Sequence, residues 1–163
     1  MITAFGFALL LIAGFAVRGG IDWKAGILWG IAGFIAFSLA PSIGLPPEPP
    51  GAFAAPVPSR QIWWVATTAG TSFGLILLAF KRGAPWKAVG VAVIALPHII
   101  GAPHPEKLGG LAPEELMHVF VAAALASSAI FWVVLGACSG YFFKRFGRSR
   151  VKMYGRSRVR MAP

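Results

Sequence analysis

Between positions 95 and 120, in ALPHIIGAPHPEKLGGLAPEELMHVF, stand all three histidines and three of the five acids of a 163-residue chain. Glu114 and Glu115 lie four and three residues before His118, so a helix that starts at Pro113 places either pair on one face. Imidazole together with carboxylate suits divalent first-row metals such as cobalt, nickel or zinc. His98, at the end of the preceding apolar stretch, could close such a site across a helical bundle. His104 and Glu106 stand on either side of Pro105, and Glu48 is the single acid of the stiff segment GLPPEPPG at 44–51. The candidate metal ligands are therefore His98, His104, His118, Glu106, Glu114, Glu115 and Glu48. Plainer readings stand beside these. Pro113 followed by two glutamates is an ordinary helix start, because the proline donor is not missed there and carboxylates favour the positive end of the dipole. His104 could be simply solvated, and a proline-rich connector is commonly a spacer that caps a bundle. His98 sits in an apolar stretch, where an ionisable side chain is costly and is a functional candidate by default. Its plainer alternative is a ring bonded to a neighbouring carbonyl.

Other chemistries lack their residues. There is no GxxxxGK[ST] phosphate loop, no nucleophile elbow, no HExxH and no CxxC. Cys138 is the only cysteine, so no intrachain disulfide can form. A membrane enzyme would rest on the histidine and glutamate cluster alone, so no enzymatic activity and no resident cofactor are expected.

These residues must be positioned by elements suited to a bilayer. The chain is 57% apolar and 12% charged, against about 45–50% and about 25% for a soluble domain. At about 20 residues per span, the length holds one helical bundle and no second domain. Stretches free of Lys, Arg, Asp and Glu give an all-α integral membrane protein of about five spans, near 2–17, 25–44, 61–80, 86–102 and 114–143. The first has no basic residue before it and no distinct cleavage site, so it reads as a retained span rather than a signal peptide. Pro41 and GLPPEPPG should end the second span, and Pro97 should bend or end the fourth. With the N-terminus outside, thirteen of the fifteen basic residues fall inside, and only Arg60 and Lys107 lie outside. The positive-inside rule thus gives N-out and C-in. Every histidine and every acid except Asp22 then gathers at the outer face. No acid falls mid-membrane, where ion-coupled carriers often place one.

Eight of the basic residues lie at 144–163, where GRSRVKM (147–153) returns as GRSRVRM (155–161). This tail is expected to be disordered and cytoplasmic. It should bind anionic lipid at about 1 kcal/mol per basic residue near the surface. Nucleic acid is the weaker reading, since the repeat at 147–161 is short, has one aromatic (Tyr154) and is tethered to the bilayer.

The order and spacing of DWKAGILWGIAGFIAFSLAPSIGLPPEPPGAFAAP (22–56), RQIWW (60–64), ALPHIIGAPHPE (95–106), PEEL (113–116) and IFWVVLGACSGYFF (130–143) resemble the CbtA-type subunits of predicted cobalt transporters. The resemblance covers residues 1 to about 143. It implies a bacterial inner-membrane component of cobalt import linked to cobalamin synthesis. It also implies a small single-span partner, of CbtB type, with a histidine-rich end. Family members usually begin with a further hydrophobic segment and an acid- and histidine-rich loop, so this chain reads as a short form. The arginine repeat of the tail is not a feature associated with the family.

The expectation is a membrane subunit that captures a divalent cation, Co2+ in the family's case, at the outer histidines and glutamates and hands it inward. Protons compete with metal for imidazole, so capture should weaken below about pH 6.5. The alternative is a structural or assembly subunit of a larger membrane complex that moves nothing.

Overall fold

A computed structural model describes residues 2–105, 110, 111 and 113–159, with side chains described as far as Gly147. Five helical stretches follow one another: α1 (Ile2–Arg18), α2 (Trp23–Gly44), α3 (Val57–Phe80), α4 (Ala84–Ile100) and α5 (Glu114–Val159). Among the described residues there is no strand, and one antiparallel bridge joins Ala52 to Gly110. Trp23–Gly44, Val57–Phe80 and Glu114–Gly147 are long and apolar enough to cross a membrane. At 17 residues each, α1 and α4 stand at the lower end of the range for a span.

The boundaries follow from local chemistry. Gly19 and Gly20 take φ of +69° and +64°, a left-handed pair that reverses the chain after α1 at no Cβ penalty. Asp22 then caps α2: its carboxylate accepts the Ala25 N–H at 3.0 Å. That bond, joined by the Lys144 ammonium at 3.5 Å, holds the Asp22 carboxyl below its usual range. Within α2, residues Ile35–Leu39 form a π-helical turn. Pro41 stands in the last turn, and the helix ends after Gly44 ahead of Pro46 and Pro47.

Pro97 does not end α4, which runs on to Ile100. The helix beyond Pro97 keeps its own bonding, with Gly101 N–H donating to the Pro97 carbonyl at 3.0 Å. Beyond the span expected to end near 143, the backbone of α5 stays helical to Val159. Nothing between Phe143 and Val159 breaks it, since proline is absent there. The tail's side chains from Arg148 onward lie outside the described residues.

The chain packs as two units, residues 1–31 with 130–163, and residues 32–129. In the first, glycine replaces side-chain layers. A Cβ on Gly26 or Gly30 would collide with the backbone of Gly136 or Trp132, and one on Gly140 would stand 2.5 Å from the Asp22 carbonyl. These backbones can touch only because no side chain intervenes, the usual device for packing helices in lipid. Phe15 is fully buried beside this seam, edge-on to Trp29 at 5.6 Å and to Phe143 at 5.7 Å. In the second unit α3 packs against α4, with Gly74 and Gly90 pressed against each other's carbonyls. The other neighbour of α3 is the π turn, where Trp64 lies 6.2 Å from Phe37.

Candidate functional site

The second unit brings the two loops with acids and histidines to one end. The 45–56 and 101–113 segments are tied by the Ala52–Gly110 bridge and by the Leu111 N–H donating to the Gly51 carbonyl at 3.2 Å. Beneath them Gly44 packs between Trp63 and Ala102, which joins the ends of α2, α3 and α4. A glycine is required at 110, because a Cβ there would stand 2.8 Å from the Ala52 Cα.

Each sequence candidate has a distinct setting within this end. Glu114 and His118, one turn apart at the start of α5, approach to 4.0 Å and are 91% and 80% exposed. Both can turn toward an ion arriving from water, since neither is held by packing. Glu115 is exposed beside them, and His104 is exposed between Pro103 and Pro105. Glu48 is engaged elsewhere, in an ion pair with Arg60 at 3.3 Å. This pair forms the polar rim of a groove of about 800 Å³ whose walls include Phe37, Trp64, Gln61, Ser38 and Ser128. The two serine hydroxyls bond each other at 2.8 Å and pin the π turn to α5. Glu106 lies outside the described residues. Among the described residues, no three His, Cys, Asp or Glu side chains converge.

His98 differs from the other histidines. Its ring is half-buried and meets Trp63 edge-on at 5.8 Å, while Trp63 Nε1–H donates to the Pro97 carbonyl at 3.4 Å. Its Nε2 is buried and has no hydrogen-bond partner. The plainer reading of this histidine, a ring bonded to a nearby carbonyl, is therefore not met at Nε2.

The sequence candidates omit three residues that the structure brings forward. Thr67 and Thr71 are fully buried, Thr68 is 6% exposed, and none of their hydroxyls has a partner. A buried hydroxyl left unpaired costs about 1–3 kcal/mol. The signal for them was the polar run TTAGTS (67–72) at the centre of the span, with Trp63, Thr67 and Thr71 at four-residue steps.

A family model described as "Probable cobalt transporter subunit (CbtA)" matches residues 1–144. No curated protein and no solved structure matches the chain.

Proposed function

Because the chain belongs to the CbtA family of probable cobalt transporter subunits, we propose that it captures divalent cobalt at one end of a five-span bundle and passes it across the membrane. The observation that carries this reading is the tie between the proline loop and the histidine loop. It brings the loop that carries Glu48 to the loop that carries His104, and Glu114 and His118 follow the latter at the start of α5. Imidazole nitrogen and carboxylate oxygen are the donors that a divalent first-row ion accepts. The distribution of basic residues supports placing this end outside, with N-out and C-in topology in a bacterial inner membrane. Co2+ is cargo in this reading. The partner is a small histidine-rich single-span subunit of CbtB type, the product serves cobalamin synthesis, and the basic tail rests on anionic lipid.

The exposure of Glu114 and His118 suits capture from water: a hydrated ion can exchange one or two waters for them without first entering a pocket. Arg60 holds Glu48 aside, so Glu48 attracts cations more weakly than a free carboxylate would.

The test is cobalt accumulation in cells that lack their own cobalt importers, expressing this chain with and without the small partner. Uptake is expected with the partner and should vanish in the His98→Ala, His118→Ala double variant. No uptake by the native chain, with the protein verified in the membrane, overturns the reading. The second reading, a scaffold or assembly subunit, draws on the glycine seam of Gly26, Gly30, Gly136 and Gly140, which packs helices whatever they carry. A scaffold would tolerate both histidine replacements.

A further inference from the structure

Capture at the outer loops makes no use of the polar centre of α3. Thr67, Thr68 and Thr71 fall near the middle of this 24-residue apolar helix. Threonine in a helix commonly turns its hydroxyl onto the carbonyl of its own preceding turn, yet these three hydroxyls are buried and unpartnered. α4, which packs against α3, offers two further polar atoms. The Val93 carbonyl has lost its helical donor, because residue 97 is a proline without an N–H. It lies 3.3 Å from where a Cβ of Gly70 would stand. The second atom is the buried, unpartnered Nε2 of His98.

Thr67 and Thr71 lie on the face of α3 that forms a seam with α4. Trp63, Thr67, Gly70, Thr71 and Gly74 succeed one another at three- and four-residue steps and so run down one side of α3. Trp63, Gly70 and Gly74 touch α4 directly. A carbonyl freed by proline is tolerated inside a membrane where neighbouring helices, hydroxyl side chains or ordered water re-satisfy it. The π turn packed on the other flank of α3 is a local distortion of the kind that accompanies functional sites.

We propose that this seam is an internal transit station for the divalent cation. His98 binds the ion through its imidazole, while the hydroxyls of Thr67 and Thr71 and the carbonyl of Val93 hold water molecules of its shell. The proposal rests on the transport reading and extends it inward. A lining of neutral oxygen and nitrogen donors replaces part of the hydration of an ion without trapping it as a buried carboxylate would. That accounts for a span region with no acidic residue.

The test uses the full-length chain in lipid nanodiscs, with the outer histidines removed by His104→Ala and His118→Ala, and Co2+ alone as probe. Pulsed electron paramagnetic resonance should show bound cobalt coupled to one directly bound imidazole nitrogen, and His98→Gln should abolish that coupling. Thr67→Val with Thr71→Val keeps shape and removes only unpaired hydroxyls. It should leave the melting temperature unchanged or raised and weaken cobalt binding at least tenfold. Absence of cobalt binding in the His104, His118 background overturns the proposal. So does a nitrogen coupling that survives His98→Gln, or unchanged affinity in the valine pair. Cellular uptake separates the two readings. If His118→Ala abolishes uptake and the valine pair transports normally, outer capture stands and the internal station falls. If the native chain takes up no cobalt, the transit role falls with the transport reading even where binding at the seam persists.

Discussion

Glu114 and His118, the pair proposed to capture the cation, contribute little to stability. An exposed pair 4.0 Å apart is worth about 0–1 kcal/mol. Glu114→Gln or His118→Ala should therefore shift chemical unfolding by less than about 0.5 kcal/mol. The same changes should lower cobalt accumulation in cells at least several-fold. Asp22 is the reverse case, a residue with a structural role and no place in the site. Its carboxyl is held low first by the Ala25 N–H and then by Lys144. A lowered value means that the stabilisation is fully present above the ordinary carboxylate range near 3.8 and is lost as pH falls through the folded value. Asp22→Ala should consequently melt below the native chain at pH 7, and the gap should close as pH falls below that range. Thermal melts at both ends of the range measure it.

Helix packing depends on glycine at identifiable steps. Gly30 and Gly136 leave no room for even a Cβ, so Gly136→Val must push the backbones of α2 and α5 apart. Overpacking of this kind costs about 1–3 kcal/mol, and a lower unfolding midpoint in detergent would register it. Gly6 has nothing within 4 Å of its Cβ position, so Gly6→Ala serves as the neutral control. Trp63 ties α3 to α4 through a long hydrogen bond to the Pro97 carbonyl at 3.4 Å. Trp63→Phe keeps the ring against His98 and loses that bond, at about 0.5–1.5 kcal/mol in the same unfolding assay.

At the level of the whole molecule, the charge distribution makes a claim that labelling can check. In a Cys138→Ser background, His104→Cys should react with a membrane-impermeant maleimide in intact cells. Ser149→Cys, in the basic tail, should react only after permeabilisation. The opposite pattern would invert the topology and place the histidine loop inside. Among the described residues, three helices of spanning length and two shorter apolar ones fall on the five charge-free stretches. Such stretches are legible because a bilayer tolerates few charges and sets a minimum helix length.

The residues alone determined the helical class, the five apolar stretches and the family, since composition and motif order do not depend on how the helices pack. They also placed Glu114 and His118 on one face, because a four-residue spacing within a helix is local geometry. The rest was not legible, because proline and glycine act through neighbours that the sequence does not name. Pro97 was expected to bend or end α4. The tertiary structure carries the helix past it, with Trp63 donating to its carbonyl. Glu48 looked available to a cation until the fold paired it with Arg60, twelve residues away. None of the threonines of α3 was among the sequence candidates; in the structure their hydroxyls are buried without partners, on a helix that Gly70 and Gly74 bring against α4. Contacts between helices far apart in sequence decide which polar atoms lose water, and that loss is what turns an ordinary threonine into a candidate for function.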